Sequence, residues 1–427
     1  MAGVLRGIDT ASTRTFVPAM VVLAAVVCFA APQRARAALI YELSPSASLG
    51  VTSNFQAASS GSASAFSTLS TSARLRSEWP RARHLLAARI GFTHYFVEGA
   101  RDTLSGGLTG SSSFDVTPDL ALSLGANAMI SRSATLDSAA LAGQAALPGS
   151  RLYVATSAGQ ELTYLATTRL RLAQGLGVSR VEYLTSSLQS DPTARASTAV
   201  SAHVGASYGW TRDSASFGLR GTQQFTEAGI DPFNNFVPAG RTLFGQALLG
   251  WRREFSTLWA AEIQGGVGVM RPPSGRVLTL PTAIVSVNYR HLPWYATLTA
   301  LHGAVPNLFL GVATINDQAT LSLTLPLEPG ERYVVSGFAS YGRARAADTT
   351  DPVAGAYSYN LLTVGSTLSV RFRDLPIYGS ATYTLISQQG TSATGGALDV
   401  VRHTVMLNVT AAFTWGPGTP PPGGGLI

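Results

Sequence analysis

The chain has 427 residues and a formal net charge of +7, with 46% apolar residues but only 12% charged. A typical globular chain carries about 25% charged residues, so a water-soluble exterior is poorly supplied, and the low charge with abundant β-formers excludes disorder. The basic side chains are all Arg and are scattered, with no block and no recognition helix, which leaves nucleic-acid binding without support.

Residues 1–37 read as a secretory signal peptide. Arg6 and Arg14 form a basic leader, Phe16 to Ala31 is a short apolar run, and Ala35-Arg36-Ala37 supplies a small-x-small cleavage pattern. The run falls short of the roughly 20 residues a spanning helix needs. Pro18, Arg34 and Arg36 also argue against an uncleaved anchor. The single cysteine, Cys28, follows Val27, which does not suit a lipoprotein signal. Cleavage after Ala37 removes it and excludes disulfides and Cys-ligated metal sites. The leader holds four Arg and one Asp, so residues 38–427 carry +4.

From Ile40 onward, short alternating segments are joined alternately by tight turns and longer connectors. Turns are predicted at Trp79-Pro80-Arg81, Val116-Thr117-Pro118, Ala173-Gln174-Gly175, Arg212-Asp213, Glu254-Phe255-Ser256, His291-Leu292-Pro293, Glu328-Pro329-Gly330 and Asp374-Leu375-Pro376. Connectors are predicted near 55–65, 99–107, 134–159, 187–196, 227–240, 303–311, 346–356 and 389–400, with a short one at Pro272-Pro273-Ser274-Gly275. Eight turns and nine connectors imply about 18 strands with both termini on the turn side; 16 is the alternative, because 108–116 is a weak strand. Connector 134–159 is the only one long enough to fold into a bore.

The alternation separates two faces. From Val405 to Trp415, Val405, Leu407, Val409, Ala411, Phe413 and Trp415 oppose Met406, Asn408, Thr410, Ala412 and Thr414. In 161–172, Leu162, Tyr164, Leu170 and Leu172 oppose Glu161, Thr163, Arg169 and Arg171. In 214–225, Phe217, Leu219 and Phe225 oppose Ser216, Arg220 and Gln224; in 257–271, Trp259, Ile263 and Val267 oppose Glu262 and Gln264. Arg on a lipid face costs about 2–4 kcal/mol at the bilayer midplane, so the polar face is expected to line a lumen. Arg169, Arg171, Arg220, Glu262 and Arg371 are the candidate lumen-lining residues. Trp79, Trp210, Trp251, Trp259, Trp294 and Trp415 flank the short turns and are the candidate interface aromatics.

Catalytic chemistry finds no footing. Gly205-Ala206-Ser207-Tyr208-Gly209 matches a nucleophile elbow in letters but lies inside an alternating strand. His203 shares a face with Ser207, yet four strand residues span roughly 13 Å. The six histidines show no ligand spacing, and Asp348 and Asp351 read as solvated loop carboxylates. No enzyme activity, cofactor or metal is expected.

The signal peptide, the alternating strands, the aromatic flanks and the closing strand Val405 to Trp415 resemble Gram-negative outer-membrane β-barrel proteins of porin-like size. The resemblance covers nearly all of 38–415 and implies a single transmembrane antiparallel up-and-down barrel, followed by a Pro/Gly-rich tail over 416–427. It implies outer-membrane lipid and the barrel-assembly machinery as partners. That tail departs from the usual terminal aromatic. The expected function is passive diffusion of small polar solutes, with slight anion preference. The alternatives are a polymer-export barrel working with periplasmic components, or a structural or adhesive surface barrel.

Overall fold

In the first strand, β1 (Ala38–Thr52), side chains fall alternately to two sides. Tyr41, Leu43, Leu49 and Val51 are exposed, whereas Glu42, Ser44, Ser46 and Ser48 are half-buried. The same division repeats through β2 (Ser64–Trp79), β3 (Ala82–Tyr95), β4 (Thr103–Thr117), β5 (Leu120–Ser131), β6 (Tyr153–Leu165) and β7 (Leu170–Tyr183). It continues through β8 (Ser197–Gly209), β9 (Asp213–Thr226), β10 (Gly240–Glu254), β11 (Trp259–Arg271), β12 (Leu278–His291) and β13 (Trp294–Asn307). The remaining strands are β14 (Val312–Pro326), β15 (Tyr333–Ala346), β16 (Ser358–Arg371), β17 (Ile377–Thr391) and β18 (Val400–Ala411). This computed structural model describes residues 38–54, 62–97, 102–131, 152–183, 196–230, 236–237, 239–291, 293–307, 312–327, 332–347, 358–372, 375–391 and 399–416. The leader, Cys28, Asp348, Asp351 and the tail beyond Gly416 lie outside the described residues.

All neighbours pair antiparallel, and β18 closes on β1 through Ser46↔Thr410, Leu49↔Leu407 and Thr52↔Thr404. After a break at Ala412 the chain resumes as Phe413–Trp415, pairing Tyr41↔Trp415. The result is an 18-strand closed barrel, and every strand finds two partners, so no edge remains. The 16-strand alternative falls, because 108–116 lies inside the 15-residue β4. Taken together, the registers of successive strand pairs return the ladder to β1 displaced by about 22 residues, the stagger of strands tilted by about 35–45°.

Which face points inward follows from burial. One layer of sheet has no second layer outside it, so a buried side chain belongs inside. Among the described strand residues, Tyr153, Met270, Gln224, Thr314, Arg402 and Phe66 are buried and all lie on the polar face. Only His84, Ser112 and Ile315 are buried on the apolar face. Outward Leu49 is 64% exposed and its partner Leu407 61%, so no protein layer covers them. Their water contact is avoidable only in hydrocarbon.

The outward band has defined limits. At the turn edge it ends in Tyr41, Phe114, Tyr164, Tyr208, Trp251, Trp259, Tyr289, Trp294, Phe413 and Trp415, with Trp259 and Tyr289 rings 4.5 Å apart. At the loop edge it ends in charge: His94 beside Asp102 at 2.8 Å, Arg180 between Glu182 and Glu227, and His302 beside Asp317. Arg180, Arg241, Arg271, Arg343 and Arg345 thus face outward there, and Arg253 does so at the turn edge, against the simple expectation that Arg stays inside. All of them sit near strand ends, where headgroups, not acyl chains, meet the wall.

Several connectors differ from the sequence reading. The predicted turn at 173–175 lies inside β7; the reversal is at 166–169, where Thr167 Oγ1 accepts from the Arg169 and Leu170 amides at 3.2 and 3.0 Å. Gly175 misled because Gly usually marks turns; here it admits a neighbouring ring. The connector predicted at 134–159 is shorter, since β6 begins at Tyr153, and β13 runs on to Asn307. The described part of the 227–240 connector carries a two-residue ladder, Gly229–Ile230 with Phe236–Val237.

Candidate functional site

The inner wall is made chiefly of Ser, Thr, Gly and Ala, because these are the even or odd partners of the apolar positions in each strand. Small residues leave the bore wide, and the larger inward rings are laid flat on it. His203 lies on Gly175 of the adjacent strand and Phe338 on Gly365, so close that a Cβ at either glycine would overlap the ring. A bore of this strand number is too wide for side chains to fill.

Charge along the inner wall is segregated by height. The inward-facing carboxylates of the described strands, Glu42, Glu78, Asp115, Glu161, Glu254 and Glu262, all lie in the turn-side third. Three of them are matched there, Glu42 by Arg74 at 3.8 Å, Glu78 by Arg76 and Glu254 by Arg252 at 3.2 Å. Glu262 accepts from Gln264 Nε2 at 2.6 Å. Arg83, Arg171, Arg290 and Arg371 share that end, Arg290 and Arg371 stacking over Tyr295 and Tyr378. At mid-height Arg89 and Arg220 face inward with no carboxylate within 4 Å among the described residues; Arg220 pairs in register with His203 and Gln246. Higher still, the inward charge is Arg402.

Burial is segregated too. The buried inward side chains cluster in the loop-side part of the wall, among them Phe66, Tyr153, Val181, Ser197, Gln224, Met270, Thr314, Tyr359, Gln388 and Arg402. Inward residues at the turn end are half-buried or exposed. Inward side chains are therefore more closely covered toward the loop end.

The residues singled out from sequence divide as follows. Arg171, Arg220, Glu262 and Arg371 face the bore, although they lie on four separate strands and form no single cluster. Arg169 does not line the wall; it sits in the 166–169 turn. Trp79, Trp251, Trp259, Trp294 and Trp415 sit on the outward face near the turn edge, and Trp210 projects just past the end of β8. Ser207 and His203 face inward within β8, with no helix after them. Arg89 and Arg402 were not singled out, although each falls in phase with inward neighbours: Arg402 stands two residues before Thr404 in the pattern of the closing strand.

A closed antiparallel barrel with an apolar outer band, an aromatic girdle and a polar, charged inner wall is the architecture of a transmembrane β-barrel. Among solved structures the chain is similar to the ferric-catecholate import receptor Fiu from E. coli K12 in its open form, at 8% identity and a TM-score of 0.46, covering 89% of this chain and 82% of that one. It is similar to Pseudomonas aeruginosa OccK7 (OpdD), at 13% identity and a TM-score of 0.45, covering 89% and 100%. It is likewise similar to Acinetobacter baumannii OccAB3, at 10% identity and a TM-score of 0.45, covering 88% and 99%. No protein-family model and no curated protein matches the chain.

Proposed function

We propose that the protein is a passive channel for small polar solutes, with a preference for anions. The observation that carries this reading is the charge gradient of the inner wall. Among the described strands the inward carboxylates lie in the turn-side third, three of the six paired with Arg, while Arg89, Arg220 and Arg402 above them have no carboxylate within 4 Å among the described residues. Fixed inward charge of one sign favours passage of the other. The Ser/Thr/Gly wall supplies water with partners. The buried side chains toward the loop end tell against the export of a bulky polymer, which wants a clear bore.

Planar-bilayer recording of the purified, refolded chain tests this. Stepwise conductance with a reversal potential on the anion side in a KCl gradient is the expected result. Silence, or a clear cation preference, overturns it. The outward tryptophans act, on this reading, as anchors at the periplasmic headgroup level, where amphipathic rings are most stable.

A further inference from the structure

We propose that Arg402 forms a binding site for a small oxyanion, a carboxylate or phosphate group on a permeating solute, at the loop end of the seam between β18 and β1. The proposal rests on the channel reading above and adds the place where the solute pauses. Arg402 is inward-facing and only 3% exposed. Its Nε donates to Thr52 Oγ1 at 3.1 Å, and the Thr404 hydroxyl donates to the same oxygen at 3.4 Å. A hydroxyl has two lone pairs and one proton; with both pairs engaged, the Thr52 O–H is left to donate. Tyr95, reaching across from β3, is the other partner of the guanidinium. No carboxylate lies within 4 Å of Arg402 among the described residues.

A buried guanidinium compensated only by hydroxyls is costly, because desolvation removes more than neutral dipoles return. An oxyanion resolves it. The planar fork of Arg offers two parallel donors at the spacing of carboxylate or phosphate oxygens, and Thr52 adds a third from the side. The inward charges at mid-height, Arg89 and Arg220, have the same sign and do not satisfy Arg402; they draw an anion along the bore toward it. The competing role is a seam staple, in which Arg402 merely ties β18 to β1.

Conductance of the full refolded chain, measured against concentration in KCl, potassium acetate and potassium phosphate, tests the assignment. The expected result is that acetate or phosphate current saturates and that the same salt, added to KCl, blocks chloride current; which one does so identifies the carboxylate or the phosphate as the ligand chemistry. Arg402→Gln keeps a donor for Thr52 but loses the charge, and raises the half-blocking concentration by about tenfold or more, as for loss of a charge-assisted hydrogen bond. Thr52→Val keeps the charge and raises it by a smaller factor, and this variant carries the test if Arg402→Gln fails to show heat-modifiable gel mobility. Block unchanged in both variants, or no saturation and no block in the wild type, overturns the site and leaves a staple. If the wild type gives no conductance at all, the channel reading falls. The site is then read by titrating detergent-solubilised protein with phosphate and acetate: heat of binding abolished by Arg402→Gln supports it, and none in the wild type overturns it.

Discussion

The two ends of the bore are built from the same residue types and behave differently. At the turn end, Arg74, Arg76 and Arg252 meet Glu42, Glu78 and Glu254 in pairs whose side chains stay well exposed. At the loop end, Tyr153, Met270, Gln224 and Arg402 are almost wholly buried, and among the described residues Arg402 is the one inward charge and has no carboxylate within 4 Å. Exposed pairs are cheap to keep and cheap to lose; buried groups are neither. On the proposed channel reading, the turn end shapes the field that a solute meets and the loop end sets what passes.

The contrast can be broken at its strongest point by Tyr153→Ala. Loss of a fully buried ring should cost about 3–5 kcal/mol and raise single-channel conductance, read by urea unfolding in lipid vesicles and by bilayer recording. An unchanged conductance would place the narrowing elsewhere. A second test compares inside with outside at one level. Leu407→Arg puts a cation on the lipid face and should cost about 2–4 kcal/mol, whereas Asn408→Arg, one residue on and facing the bore, should cost under about 1 kcal/mol. Equal losses in unfolding titrations would reverse the assignment of faces. Arg220→Glu reverses the charge at mid-height and should move the reversal potential toward cations while leaving the unfolding midpoint in place. The smallest effect is expected from Arg76→Ala, which breaks an exposed pair with Glu78 and should change stability by about 0–1 kcal/mol.

Much of the architecture was readable because each strand states its two faces in its own letters. The Val405 to Trp415 stretch predicts its outward and inward sides residue by residue, and the structure keeps them. The hairpin rhythm gave the strand number for a related reason: Pro and Gly at the reversals have backbone needs that strands reject. The misplaced turn shows the limit. Gln174-Gly175 has turn composition, but its glycine serves the His203 ring on the next strand, a partner some thirty residues away that local reading does not see. The real reversal is held by Thr167, whose hydroxyl caps two amides, and nothing in Thr-Thr-Arg distinguishes that role from a strand position. Moving the turn took Arg169 off the wall, yet Leu162, Leu172 and Arg171 kept their sides, because Leu165↔Arg171 preserves the parity of the two arms. The crowding of the loop end was illegible, since Ser, Thr and Gly run the full height of the wall. Burial there depends on neighbours brought up from other strands, which no single strand encodes.

The seam joins residues about 350 positions apart, with Thr52 and Ser53 of the first strand held by Arg402 and His403 of the last. The first strand must therefore wait for the entire chain, one flank unsatisfied, before the circle can be completed. Folding of this molecule has a late, long-range final act, and its rate is governed by how soon the two extremities find each other rather than by any hairpin between them. A chain cut short before residue 400 is not a smaller tube but a curled ribbon with two sticky margins, primed to join another copy of itself.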